Sequence, residues 1–406
     1  MQRRNTALLL SADYPDPFEP DKTRVFERLV SLTADRFDTT VLSLNRSWPG
    51  GAEGLARLPF PGPVIAENRS FAAGRALRYR APPVGVWHRA RLQALADAIA
   101  AQHHWRPGGA APDLIVAGKL TVEGIIAQAL ARRWGVPYAL CLQGNTDLKI
   151  LRARPDLRRL FRSIYRGAAA IFPFAPWTDA AVDAMLGPMP AEKRTILPCA
   201  TDLDAPIAPA PRGEGFVSVF HLRHHRNKNL AGMAAAMGRL PDHPRARLDI
   251  IGGAFAQTMQ TLRSRHRGQG RIVFAGPLSQ EALPRRLNRA IALVLPSFRE
   301  TFGLVFIEAL FAGLPVIYSR GTAIEGYFDG APFALPVDPH SPASIAEAMA
   351  ATLRDEATIK AALHDWQTSP ASRRFTRAAI GEAFAQGLER AIADQAGGGT
   401  KGTSHA

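Results

Sequence analysis

Short apolar runs alternate with longer amphipathic stretches along almost the whole chain. In the first half, residues 6–11, 39–44, 113–117, 138–142, 169–172 and 194–197 have the length and nearly continuous apolar character of strands buried on both faces. Between them, residues 23–34, 87–103, 121–134 and 177–186 repeat apolar positions at helical spacing. The segment 45–86, rich in Pro, Gly and Arg, fits neither period. The run Asp204-Ala205-Pro206-Ile207-Ala208-Pro209-Ala210-Pro211 then breaks the rhythm; it cannot be a central strand or a helix interior. The alternation restarts with predicted strands at 216–220, 248–251, 272–274, 292–295 and 315–318. Strand–helix alternation predicts parallel sheets, and a linker between two such blocks predicts an α/β protein of two Rossmann-like lobes facing a central cleft. The expected parts are a first domain at 1–204, a Pro-rich linker at 205–214 and a second domain at 215–368. A C-terminal helix at 369–395, able to pack back on the first lobe, and a flexible tail at 396–406 complete the chain.

Its length of 406 residues suits two domains or three. Ordinary apolar content, 47%, excludes wholesale disorder. Two cysteines, Cys141 and Cys199, can build neither a disulfide scaffold nor a four-cysteine zinc site. No apolar run is long enough to span a membrane, and the stretch Ala7-Leu8-Leu9-Leu10 is too short for a secretory signal, so a cytoplasmic location is expected. The formal net charge of +15 changes the picture more, because it calls for an anionic partner.

One stretch joins an apolar strand to a polar loop and an apolar helix: Leu293-Val294-Leu295-Pro296-Ser297-Phe298-Arg299-Glu300-Thr301-Phe302-Gly303-Leu304, continuing to Glu308. A helix beginning near Thr301, with that hydroxyl as its cap, would aim free amides at an anion. Glu300 would reach the ligand from the loop, and Glu308 would sit on an otherwise apolar helical face. The bland reading leaves Glu300 solvated and Glu308 paired with an arginine. After the first strand of the second lobe, Arg223 and Lys228 supply two cations before the next helix. Such a pair can compensate a departing diphosphate, or be only a solvated basic loop. The neighbouring His221, His224 and His225 lack an adjacent acid or cysteine, so no metal site is expected. Gly253 and Gly276 close strands and permit close backbone approach, without a full dinucleotide fingerprint. In the first lobe, Gln143-Gly144-Asn145-Thr146-Asp147 follows an apolar strand with polar groups, or with no more than a tight turn.

Taken in order, these residues resemble the retaining glycosyltransferases of family four (glycosyl transferases group one), which have the GT-B fold. The resemblance covers about 216 to 353 and centres on "PSFRETFGLVFIEALFAGLPVIYS", which is similar to the family's two glutamates separated by seven residues. Arg223 and Lys228 have the family's spacing, and "VFAGPLS" falls on its nucleotide side. The resemblance implies transfer of a sugar, with retention, from a nucleotide-sugar donor to a glycan or lipid-linked acceptor, without cofactor or divalent metal. Glu300, Arg223 and Lys228 would carry catalysis; Glu300 would hydrogen-bond the donor sugar and Glu308 the ribose. The amides of Phe302, Gly303 and Leu304, with Thr301, Gly253 and Gly276, would line the donor site. Gln143, Gly144 and Lys22 fall on the acceptor or sugar side. Two departures stand out: the first loop, 13–22, has no glycine, and Gln143 replaces the family's His.

The positive charge gathers in the first lobe. Arg69, Arg75, Arg78, Arg80, Arg89 and Arg91 occur with no intervening acid, and Lys149, Arg152, Arg154, Arg158, Arg159, Arg162 and Arg166 with only Asp156. Interleaved aromatics make an anionic membrane surface the expected partner, at the inner membrane face, and no nucleic-acid motif accompanies them. Two rival functions remain open: another GT-B activity, sugar-nucleotide epimerisation or phosphorolysis, and non-enzymatic polyanion binding.

Overall fold

The computed structural model describes residues 4–58, 62–82, 85–102, 110–265 and 271–398. Two compact units result. Of the described residues, those up to 174, 178–197 and those from 380 onward make the first, and 175–177 with those between 198 and 379 the second. In the first, β1 (Asn5–Ser11), β2 (Phe37–Ser47), β3 (Ile65–Phe71), β4 (Gly74–Arg80), β5 (Leu114–Ala117), β6 (Tyr138–Leu142) and β7 (Ala170–Pro173) form a sheet of order β3-β4-β2-β1-β5-β6-β7. In the second, β8 (Phe216–Val219), β9 (Leu248–Ile251), β10 (Ile272–Gly276), β11 (Leu293–Leu295), β12 (Val316–Ser319) and β13 (Ala334–Val337) follow the order β10-β9-β8-β11-β12-β13. Every pairing is parallel except that of β3 with β4. Parallel strands need crossovers and both faces covered, and this is why β5 (LIVA), β6 (YALCL) and β11 (LVL) are apolar and buried at every position.

The segment 45–86 holds what the periodicity missed. An antiparallel hairpin, β3 with β4, adds itself to the sheet edge. The outer strand carries Glu67, Asn68 and Arg69, and a charged, exposed edge strand has no apolar alternation to detect. Register places Glu67 opposite Arg78, and the two pair at 2.5 Å. Arg69 and Arg78 also lie over the Phe18 ring at 4.5 and 4.2 Å, while buried Arg91 donates to the carbonyls of Arg80 and Gly62. Part of the basic cluster at 69–91 is therefore neutralised or consumed within the protein, because its partners come from across the sheet rather than from nearby sequence.

Other expectations are corrected. Residues 194–197 run beside β7 and bond to it through Thr195 and Leu197 amides, but only Arg194 makes a bridge, so no strand forms. The helices Asn145–Ala153 and Arg158–Gly167 occupy the second basic cluster, whose charges mask their narrow apolar face. The Pro-rich run is not a loose tether: the carbonyls of Ile207 and Ala210 accept from Gln367 and Lys360, and Glu356 accepts the Gly213 amide at 2.6 Å. Prolines lack amide donors but keep their acceptors, so long side chains of the helix Glu356–Thr368 stitch the run to the second unit.

The final helix, Arg377–Gly398, packs on the first unit from Ile380 onward. Phe384 meets Phe172 edge-to-face at 4.8 Å, and Arg36 pairs with Glu382 and Glu389. The expected tail begins within this helix, and residues 399–406 lie outside the described residues. Removing the buried ring in Phe384→Ala is expected to cost about 3 kcal/mol, read as a lowered urea midpoint, whereas substitutions at exposed Arg377 should leave that midpoint nearly unmoved.

Candidate functional site

Loops leaving the carboxyl ends of the second sheet converge. After β8 comes a 3-10 turn, Leu222–His224, with His221 as its cap; Asn227 and Lys228 follow before the helix Leu230–Met237. After β11, Pro296 stops the strand and the chain runs to Glu300. The two loops are joined at three points. The Phe298 amide donates to the Asn227 carbonyl at 2.8 Å, the Asn227 amide side chain donates to the Arg299 carbonyl at 2.9 Å, and the Lys228 ammonium pairs with the Glu300 carboxylate. From the other side, Ser319 donates to the Ser297 carbonyl at 2.7 Å and Thr322 to the Glu300 carbonyl at 3.1 Å. Glu300 and Lys228 are thus fixed by backbone clamps as well as by mutual attraction. Asn227, Ser319 and Thr322 escaped the sequence reading, since a polar residue after a strand end is too common to single out.

Arg223 is exposed, and its Nε donates to Nε2 of His224 at 2.9 Å. Burial, then the neighbouring Arg223, Lys228 and His221, hold the His224 imidazole below its usual range, which keeps that nitrogen free to accept. His221 accepts the Arg223 amide, and His225 contacts the Leu222 carbonyl. All three histidines therefore shape the cationic loop. Among the described residues no group of three or more His, Cys, Asp or Glu could hold a metal ion.

The helix after Glu300 is Leu304–Phe311, later than expected, and its cap is Gly303 rather than Thr301. Gly303 has φ +75, and an added Cβ would sit 2.6 Å from the Phe306 ring, so the sharp turn into the helix requires glycine. The amides of Leu304 and its neighbours precede the helical ladder and remain available to an anion. Phe302 is buried and meets Tyr327 edge-to-face, which anchors the turn. Glu308 begins the second turn and is half-buried. Gly252 packs against the Phe220 carbonyl, and its amide donates to the Gly276 carbonyl at 2.9 Å; the Gly253 carbonyl accepts from the Leu222 amide at 2.9 Å. This places Gly253 and Gly276 beside the loop of Arg223, with open space at Gly276.

The first unit has its own cluster. Lys22 turns inward and donates to Asp16 at 2.7 Å and Asn45 at 2.6 Å, with Ser43 also bound to Asp16. Burial opposes ionisation of Asp16, but these hydrogen bonds outweigh it and lower its pKa to about 2. The glycine-free first loop is thereby tied to β2, and Lys22 serves as that tie. Gly144, at φ +98, opens the helix Asn145–Ala153. Gln143 donates to Asp13 and to the Gly118 carbonyl, both at 2.8 Å. Lys119 pairs with Asp13 and lies 3.9 Å from Glu123. The spacing of Lys119 and Glu123, four residues apart in an otherwise apolar strand–helix junction, was the available signal for this pair.

Residues 207–368, all in the second unit, match the glycosyl transferases group 1 family. Through this unit, the chain is similar to that family. It is 28% identical over 250 residues to the D-inositol 3-phosphate glycosyltransferase of Corynebacterium jeikeium, covering 59% of this chain and 56% of that protein. It is 30% identical over 133 residues to O-antigen chain mannosyltransferase B of Escherichia coli, covering 32% and 34%. The chain thus spans about half the length of the first relative and a third of the second. Sucrose-phosphate synthase of Thermosynechococcus elongatus superposes with a TM-score of 0.68 at 19% identity, over 96% of this chain and 100% of that one. Anabaena HepE in complex with UDP and glucose gives 0.61 at 15% identity, over 95% and 100%. The fold is GT-B: two parallel-sheet α/β units.

Electrostatics in the first unit yields a pH test. The Glu123 carboxyl is fully buried and pushed up to about 7, first by burial and further by Asp13, against the pull of Lys119. Because 7 lies above the ordinary 4.5, the folded chain keeps a proton there that the unfolded chain has already released. The stabilisation is full below about pH 4.5 and is lost as pH rises to about 7. Glu123→Gln mimics the protonated form and is expected to flatten this part of the stability profile by about 1–3 kcal/mol, measured by urea unfolding across pH.

Proposed function

We propose that this protein transfers a sugar, with retention of configuration, from a nucleotide-sugar donor to a hydroxyl of a glycan or lipid-linked acceptor. The observation that carries the reading is the Lys228–Glu300 pair, clamped between two loops beside Arg223 and the start of the helix Leu304–Phe311, inside the segment that matches the family. Cleaving the bond between sugar and diphosphate leaves negative charge on the phosphate oxygen. Arg223, Lys228 and the helix-terminal amides supply preorganised compensation for that charge, the part a divalent cation would otherwise play. Glu300 accepts hydrogen bonds from donor sugar hydroxyls, and Glu308 from those of the ribose. A diphosphate entering here competes with Glu300 for the ammonium, so donor binding loosens the pair and turns the carboxylate toward the sugar. The solved HepE complex contains UDP and glucose, which supports a nucleoside diphosphate sugar as donor.

The first unit supports placement at an anionic membrane surface. Lys149, Arg152, Arg158 and Arg159 are exposed on two consecutive helices, while Asp156 is already paired with Arg154. Arg154 also binds the Gly85 carbonyl, two residues from Trp87, which is 57% exposed and held at φ +56. No described helix is long and apolar enough to cross a membrane. Partition onto phosphatidylglycerol vesicles is expected to weaken with salt and to fall about tenfold or more in the double variant Arg158→Glu, Arg159→Glu; salt-independent partition would overturn this placement.

Thermal-shift screening across nucleotides and nucleotide sugars, followed by turnover of the stabilising donor, tests the main reading. Lys228→Ala and Glu300→Gln are each expected to lower turnover about 10²–10³-fold with circular dichroism unchanged. Full activity in both variants would refute the assignment, and an epimer or sugar phosphate made without acceptor would instead identify the alternative GT-B chemistry.

A further inference from the structure

The two cations of the candidate site are held in different ways. Lys228 is clamped with Glu300 across two loops, whereas Arg223 is exposed and is held by the residue that follows it. Its Nε donates to Nε2 of His224 at 2.9 Å, and neither Nη1 nor Nη2 has a partner among the described residues. Successive side chains of a 3-10 turn point about 120° apart. The arginine must therefore curl back around the turn Leu222–His224 to make this contact, which is no by-product of adjacency in sequence. One donor of the guanidinium is tied down, and the Nη1 and Nη2 pair stays free for two phosphate oxygens.

His224 is itself fixed at both ends. Its amide donates to the His221 carbonyl at 2.9 Å, and its carbonyl accepts the Lys228 amide at 2.9 Å. One residue thus joins the two cations, Arg223 through its ring and Lys228 through its backbone. An imidazole accepts at Nε2 only when that nitrogen carries no proton, so the ring is neutral with its hydrogen on Nδ1. The surroundings favour that form. Burial acts first, then Arg223, Lys228 and His221, against the pull of Glu300 from the loop after β11. Gly253, which meets the turn from the loop after β9, brings no charge. The helix Ala256–Arg265 packs beside the turn and carries its charges, Arg263 and Arg265, at its far end. Protonation of the ring would remove the acceptor and set an imidazolium against the guanidinium, so Arg223 would lose its hold.

We propose that His224 is a positioning residue for the donor: its neutral ring holds the Arg223 guanidinium ready for the diphosphate, and protonation of the ring releases it. The proposal rests on the transferase reading and adds to it a residue and a pH dependence. A ring that bound the diphosphate directly would bind it better when protonated, and affinity would rise in acid. A ring that acts through Arg223 works only unprotonated, so affinity falls in acid. Because its pKa lies below the ordinary 6.5, the hold is present at neutral pH and is lost below 6.5.

Titration calorimetry of the full chain with UDP-glucose and with GDP-mannose, from about pH 7.5 down to 5.5, tests the proposal. Both phosphates of such a donor are esterified, so the donor lacks the monoester ionisation near 6 and keeps its charge across this range. Whichever donor binds is expected to lose about tenfold in affinity over these two pH units. His224→Gln puts a neutral, non-titrating carbonyl in place of the ring acceptor. It should bind as the wild type does at the upper pH and stay nearly flat to the lower one, whereas His224→Ala should bind about tenfold more weakly throughout. The nitrogen-15 spectrum of the wild-type ring needs no variant: Nδ1 should carry the proton at neutral pH, with a midpoint below 6.5 that coincides with the loss of affinity. Affinity that rises in acid, a flat wild-type profile, the same loss in His224→Gln as in the wild type, or a proton on Nε2 at neutral pH would each overturn the proposal and leave the transferase reading standing. Absence of binding and of a thermal shift with either donor would overturn the transferase reading, and this inference with it.

Discussion

An ammonium and a carboxylate that stand 72 residues apart in the chain, Lys228 and Glu300, meet at the carboxyl edge of the second sheet. Their attraction in a half-buried setting would be modest if two flexible side chains had to find each other. Here the entropy is already removed, because Asn227, Ser319 and Thr322 fix the backbone on both sides of Glu300. Gly303 then allows the abrupt turn that starts a helix at Leu304, four residues after Glu300, bringing its amides to the same edge. A group that carries developing negative charge meets donors that need not reorganise, the condition under which electrostatic stabilisation is most effective.

The first unit solves a different electrostatic problem. Lys119 is buried, and an unpaired buried ammonium would be expensive. Two acids surround it, yet they are not equivalent: Glu123 is sealed in and its pKa rises, whereas Asp13 stays in contact with solvent. One cation is thus divided between a carboxyl that favours its proton and a carboxylate presented at the strand ends. Lys22 and Asp16 make a second such pairing, closing the first loop onto β2. The overall charge of +15 is likewise only in part a surface property, since Arg69, Arg78 and Arg91 find rings, Glu67 and backbone carbonyls inside the fold.

Strand–helix alternation was legible because buried parallel strands have no polar face, so β6 and β9 stand where their apolar runs predict. Where an element is amphipathic in an unusual ratio the signal fails. The edge strand β3 and the two arginine-rich helices hide a thin apolar stripe under charge, and residues 194–197 look like a strand but only accompany one. The same contrast holds for chemistry. The spacing of Arg223, Lys228, Glu300 and Glu308 could be read directly: the first two lie in the loop after β8, Glu300 in the loop after β11, and Glu308 in the helix that follows.

By itself, then, the order of residues determined the two parallel sheets, the family resemblance and the identity of the cationic loop, all of which depend on local periodicity and short spacing. Tertiary structure alone decided that Gln143 is already engaged, and that Gly303 rather than Thr301 opens the helix. The physical reason is the range of the interactions. Burial preference and helix spacing act between neighbours along the chain, whereas hydrogen-bond satisfaction and the sharing of a buried charge depend on groups that only folding brings within 3–4 Å.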